Sequence, residues 1–168
     1  MNDLSYTAKV FKTVWVSDVH LGTKGSRAKE FLEFLKTIEC EKIFLVGDIV
    51  DGWQLSKRWY WPQTHNDVVQ KILEKAKRGT EIIFIPGNHD EVARDFIGLT
   101  MGGIKVKDDD IHYTADGKKF WVVHGDLFDN VIQHARWLAY IGDWAYVFLL
   151  KTNAVFNAIR RLFKLPYW

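Results

Sequence analysis

The chain has 168 residues, enough for one compact domain with a hydrophobic core, and its 48% hydrophobic and 26% charged content is that of an ordinary globular protein. A net charge of +2 gives no electrostatic case for a nucleic-acid partner, and none is expected. The single Cys40 excludes an intramolecular disulfide and fits a reducing compartment.

Residues 1–12 read as a lead-in. They lack the basic and apolar stretches of a secretory signal, so a cytoplasmic chain is expected. Thr13–Ser17 is predicted to be the first strand and Asp18–Gly25 a loop. Ser26 is the expected N-cap of a helix over Arg27–Ile38, with Phe31, Leu32, Leu35 and Ile38 on one face. Lys42–Gly47 is the second strand. Its unbroken apolar run reads as buried on both faces, and Gly47 lets the backbone turn so that Asp48 and Asp51 follow at the strand's carboxyl end. Gly52–His65 reads as an aromatic loop carrying Trp53, Trp59, Tyr60 and Trp61. Asn66 is expected to cap a helix over Asp67–Arg78 that buries Val68, Val69, Ile72, Leu73 and Ala76 and ends at Gly79. Glu81–Ile85 is the third strand.

Two strand–helix–strand units with right-handed crossovers predict an α/β fold with a parallel sheet flanked by helices. Ile104–Val106 is a further short strand. Ile111–Thr114 and Lys119–Val123 flank the turn signal Asp116-Gly117, so the sheet is expected to be mixed. From Leu127 nearly to Pro166 the chain reads as helix, with Trp137, Ile141, Trp144 and Phe148 forming one stripe. The segment's most hydrophobic part, Trp137–Leu150, is short and contains Asp143, so it is not expected to span a bilayer. The stripe reads as packing against the sheet or a second helix. A second reading places it at an anionic membrane surface, next to Lys151, Arg160, Arg161 and Lys164.

Four apolar runs end in the same kind of residue: Asp18 and His20, Asp48, Asn88, and His124. Singly these are turn and capping residues. Together they suggest side chains converging from strand ends on one metal centre, where open α/β sheets bind ligands. Their hard oxygens and imidazoles suit Mn, Fe or Zn better than Ca, and no Cys is present among them to make a structural zinc site. Five such ligands fit two ions sharing one carboxylate, with Asp48 on the central strand as the bridge. Two ions ~3.5–4 Å apart can hold a hydroxide and stabilise in-line displacement at phosphorus.

In order and spacing, Asp18-Val-His20, Gly47-Asp48-Ile-Val-Asp51, Gly87-Asn88-His89-Asp90 and His124-Gly-Asp126 resemble the motifs of calcineurin-like binuclear metallophosphoesterases. The wider sequence is similar to the branch containing UDP-2,3-diacylglucosamine diphosphatase, with Trp59-Tyr-Trp-Pro62 and Ala135-Arg-Trp-Leu adding to the likeness. The resemblance implies mixed β-sheet layers flanked by helices, with the C-terminal aromatic helical segment appended. It implies that Asp18 and His20 bind one ion, that Asn88 and His124 bind the other, and that Asp48 bridges them, with Mn first and Fe or Zn as alternatives. It places Asn88 and His89 on the substrate, with His89 stabilising the transferring phosphoryl group or protonating the leaving group. The branch often has Arg where this chain has His89.

The implied reaction is hydrolysis of the pyrophosphate bond of a lipid-linked UDP-sugar at the inner face of the membrane. The alternatives are a soluble phosphodiesterase acting on nucleotides or small phosphate esters, and a non-catalytic fragment. The family's closing Gly-His-x-His is absent from this chain. A chain that continues, a subunit that completes the site, or an impaired site would each account for that. The reading taken is a single metallophosphoesterase domain over residues 1–168 that lacks its C-terminal part.

The remaining residues have plainer readings. Asp51 reads as a capping carboxylate or a partner to a metal-bound His. Asp90 and Asp126 are open between structural and functional roles. His65 reads as an exposed loop residue, His112 as a strand residue and His134 as helical surface.

Overall fold

The computed structural model describes residues 9–129. In chain order these form β1 (Lys9–Val16), α1 (Ala28–Thr37), β2 (Ile38–Val46), α2 (Gly52–Lys57), α3 (Gln63–Lys77), β3 (Glu81–Ile85), a 3-10 turn (Glu91–Phe96), β4 (Thr100–Met101), β5 (Ile104–Val106), β6 (Asp110–Tyr113) and β7 (Lys119–Val122). The chain divides into two compact units, Met1–Asp126 and Leu127–Trp168, and all of these elements belong to the first. The helix expected beyond Leu127, with its aromatic stripe, basic residues and His134, lies outside the described residues from position 130 on.

The five-stranded sheet has the order β1-β2-β3-β5-β4. β1, β2, β3 and β5 run parallel, and β4 pairs antiparallel with β5. β6 and β7 form a separate two-stranded antiparallel sheet. The expected α/β fold with mixed sheet layers and flanking helices is therefore what forms.

The unbroken apolar runs are explained by two cores. Ile43 and Leu45 on β2 and Ile82 on β3 pack with Leu32 and Leu35 of α1 and Val68 and Ile72 of α3. Phe44, Ile83 and Ile85, alternating with them, pack on the opposite face with Val122 of β7. With a side-chain period of two, a strand covered on both faces needs an apolar residue at every position.

Several local expectations are corrected. β1 starts at Lys9, inside the expected lead-in, because Lys9 already pairs with Ile38 of β2. Its first residues are exposed and so carry no burial pattern. Ser26 does not cap α1: its hydroxyl donates to the Val19 carbonyl (2.7 Å), and Arg27 takes the N-cap position with no side-chain cap. Ile38 is buried, but it opens β2 rather than closing α1.

The aromatic loop contains α2, which is capped by the Asp51 carboxylate accepting from Gln54 N–H. α3 starts directly after Pro62, ahead of Asn66. Proline disfavours helix in the residue before it, so the helix begins at the first position free of that restriction. This puts His65 inside α3, where it is 3% exposed, against the expectation of an exposed loop residue. Of the α3 face, Val68 and Ile72 are buried, and Leu73 is exposed. Among the described residues no helix is long and apolar enough to cross a membrane.

Candidate metal centre

The loops that follow β1, β2, β3 and β7 carry Asp18 and His20, Asp48, Asn88 and His89, and His124 respectively. Three of these residues sit in left-handed backbone: Asp18 at φ 56°, His20 at φ 50° and Asp48 at φ 57°. Side chains other than glycine reach that region at a cost of about 1–3 kcal/mol each, and hold it only where the surroundings over-determine it. Here the surroundings are a ladder between two loops. Asp18 N–H donates to Gly47 C=O (3.2 Å), His20 N–H to Asp48 C=O (2.9 Å) and Leu21 N–H to Ile49 C=O (2.9 Å), and Asp51 N–H returns to Leu21 C=O (2.7 Å). Gly47 is obligatory for a steric reason: at its φ of +65°, a Cβ would stand 2.1 Å from Cδ2 of His124.

The ladder brings donor atoms together around Asp48. Its Oδ2 lies 3.9 Å from Nε2 of His20 and 3.9 Å from Nε2 of His124. Asp18 Oδ1 lies 4.0 Å from the same His20 nitrogen. These separations are too long for hydrogen bonds. They match donors held around ions: ligands ~2.1 Å from a shared ion stand about 3–4 Å from each other. Asp18, Asp48 and His124 place one ligand atom each within 4.8 Å of one another, and so do His20, Asp51 and His89. The donor set and its spacing fit a divalent-metal centre.

The outer partners of both imidazoles are carboxylates. Asp51 Oδ2 lies 3.2 Å from His20 Nδ1, and Asp126 Oδ1 lies 3.2 Å from His124 Nδ1. At His20 the contact is a hydrogen bond, which holds the proton on Nδ1 and leaves Nε2, the atom nearest Asp48, as the lone-pair donor; His124 Nδ1 and Asp126 Oδ1 are close but form no hydrogen bond. Asp51 also lies 3.1 Å from Nδ1 of His89. Burial would push the Asp51 carboxyl up, but the Gln54 N–H and the His89 and His20 imidazoles outweigh it and hold the group below its ordinary range. Both readings of Asp51, as cap and as histidine partner, therefore describe the same residue. Asp126 is held in turn by Arg94 (2.5 Å), whose guanidinium also reaches the Pro86 carbonyl.

Asp90 has a structural position. Its buried carboxylate accepts from Gly87 N–H (2.6 Å), Ile49 N–H (2.8 Å), Asp48 N–H (3.2 Å) and Val50 N–H (3.3 Å). It thus ties the Asn88 loop to the Asp48 loop. His89 N–H donates to Asp48 Oδ1 (3.0 Å), and the His89 ring lies 4.5 Å from Trp53 and 4.7 Å from His20. Asn88 stands half-buried in the same loop, and its side chain makes no hydrogen bond among the described residues. His112 lies in β6, edge-on to Trp15, away from this cluster. Arg94 and His65 carried no local sequence signal. The Asp in Gly-Asn-His-Asp was visible, but the four N–H groups it collects were not.

Two curated relatives are named UDP-2,3-diacylglucosamine hydrolase. That of Blochmanniella pennsylvanica is 26% identical over 73% of this chain and 51% of its own length. That of Azotobacter vinelandii is 26% identical over 83% of this chain and 58% of its own length. The chain thus spans about half the length of the curated relatives it matches. A solved structure, of the Pseudomonas putida nuclease MPE, is 26% identical over 58% of this chain and 48% of that one, with a TM-score of 0.37. The model of the calcineurin-like phosphoesterase family matches residues 11–158, a span that takes in all four of the loops gathered at Asp48. On that match, the chain belongs to the calcineurin-like phosphoesterase family.

Proposed function

We propose that this chain carries the two-metal core of a phosphoesterase that hydrolyses a pyrophosphate bond in a lipid-linked nucleotide sugar. The observation that carries the reading is the Asp48 carboxylate oxygen, equidistant at 3.9 Å from two imidazole Nε2 atoms. Asp18, His20 and Asp48 hold one divalent ion; Asp48, Asn88 and His124 hold the other. Mn suits this oxygen-and-imidazole set first, with Fe or Zn as alternatives. Bound ions of this kind supply a water-derived nucleophile at neutral pH and Lewis-acid polarisation of phosphoryl oxygens.

The chain's own residues do the rest. Asp51 fixes the proton of the His20 imidazole on Nδ1, and Asp126 places a carboxylate beside Nδ1 of His124. His89, with Nδ1 beside Asp51, keeps its other ring nitrogen for a phosphoryl or leaving-group oxygen. The Trp53 ring against His89 limits where that imidazole can turn.

The substrate class rests on the relatives' names and on the sequence. Their names specify UDP-2,3-diacylglucosamine. The basic residues Lys151, Arg160, Arg161 and Lys164 favour contact with an anionic membrane surface on the cytoplasmic side. The test compares turnover of UDP-2,3-diacylglucosamine with that of bis(p-nitrophenyl) phosphate by the Mn-loaded protein. A clear preference for the lipid-linked substrate is expected, with His89→Ala lowering turnover about 10²–10⁴-fold at unchanged metal content. Equal or better turnover of the aryl diester would replace this reading with that of a general phosphodiesterase.

A further inference from the structure

Among the described residues, the strained loop after β1 is hydrogen-bonded to α3 through a buried histidine. Asp18, His20 and Gly22 alternate in left-handed backbone, Gly22 at φ +105°. The peptide groups of Asp18, His20 and Leu21 are held by the β2 loop, as described above. Gly22 N–H goes elsewhere: it donates to Nδ1 of His65 on α3, at 3.0 Å. Gly22 has no room to relax on its other side, since a Cβ there would stand 2.7 Å from Cγ of Leu55 on α2.

His65 is itself fixed. It is 3% exposed, with the rings of Trp61 and Tyr60 edge-on at 5.5 and 5.8 Å. An N–H pointing at Nδ1 requires that nitrogen to be unprotonated, so the ring proton sits on Nε2. Burial favours the same neutral form, pushing the imidazole down.

We infer that His65 is a positioning residue for the metal centre: its Nδ1 lone pair pins Gly22 N–H and so holds the Asp18–Gly22 segment in the conformation that presents Asp18 and His20. A packing residue of the same size would fill the space but could not accept the bond. Without an acceptor, the buried Gly22 N–H is orphaned, and the segment is released toward ordinary backbone angles. The inference rests on the metal reading proposed above.

Two variants separate the acceptor from the volume. Asn carries Oδ1 where His carries Nδ1, so His65→Asn keeps an acceptor for Gly22. His65→Leu does not. The measurements are Mn affinity by calorimetry and hydrogen exchange at the Gly22 amide in the metal-free protein. His65→Leu should weaken Mn binding about 10–100-fold, the range found for residues that orient metal ligands, and expose the Gly22 amide to exchange. His65→Asn should stay within a few-fold of the unmodified protein in both.

Unmodified Mn affinity and Gly22 protection in His65→Leu would overturn the inference. So would equal losses in the two variants, which would make His65 a packing residue. Failure of the unmodified protein to bind Mn would instead count against the metal reading. Gly22 exchange across the three proteins would then still decide whether His65 holds the loop.

Discussion

Asp90 shows what sequence can and cannot convey about a single residue. Its place in Gly87-Asn88-His89-Asp90 marks it as part of the motif, and its type is that of a turn carboxylate. Its task depends on four N–H groups, three of which come from Asp48, Ile49 and Val50, far away in sequence. Such convergence is a property of the folded backbone and leaves no local trace. Asp126 and Arg94 are similar: the His124–Asp126 spacing is visible, but the guanidinium that steadies Asp126 arrives from the 3-10 turn. Removing the Asp90 carboxylate orphans several buried donors at once. Asp90→Ala should therefore cost about 2–4 kcal/mol, read by urea denaturation of the metal-free protein, with Asp90→Asn intermediate because it keeps one acceptor oxygen. A loss below about 0.5 kcal/mol would show that the loops hold each other without Asp90.

At the scale of elements, the strongly patterned pieces were legible and the short ones were not. β3 and β5 lie where their apolar runs predicted, Glu81–Ile85 and Ile104–Val106. α2 went unseen because its six residues bury nothing, and its start depends on the Asp51 cap. The start of α3 was misplaced because Asn66 offered a plausible cap inside the helix, whereas Pro62 set the boundary.

A charged stripe runs across three adjacent strands: Glu81 on β3 bridges Lys42 on β2 (2.9 Å) and Lys105 on β5 (2.7 Å). Hydrogen bonds from Lys105 and Lys42 pull the Glu81 carboxyl down to about 2. A carboxyl lower in the folded than in the unfolded chain contributes stability above its unfolded value near 4.5, and that stability fades as pH falls toward about 2. Solvent screens a group this exposed, so Glu81→Gln should cost less than about 1 kcal/mol at pH 7. The gap between variant and parent should narrow below about pH 4.5 and close only as pH falls to about 2. A gap that stays undiminished as pH falls from 7 to about 2 in urea titrations would mean the carboxylate charge is not what stabilises this stripe.

For the whole molecule, the fold class was legible because both cores draw on the same two strands. Continuous apolar runs in β2 and β3 demanded cover on both faces, and they receive it from α1 and α3 on one side and from β7 on the other. The separateness of the β6–β7 sheet was not legible, since a hairpin signal does not say which sheet the hairpin joins. The site was legible as a set of residue types at strand ends. The left-handed backbone of Asp18, His20 and Asp48 was not, because Asp and His carry no steric mark for it as glycine does. The proposed centre turns on Asp48 as the shared carboxylate of two ions, and metal stoichiometry tests that proposal most directly. The protein loaded with Mn should hold two ions per chain by elemental analysis. Asp48→Ala should hold none, because a shared carboxylate also screens the repulsion between two divalent cations, while His20→Ala should keep one. Loss of a single ion in both variants would contradict the bridging role of Asp48.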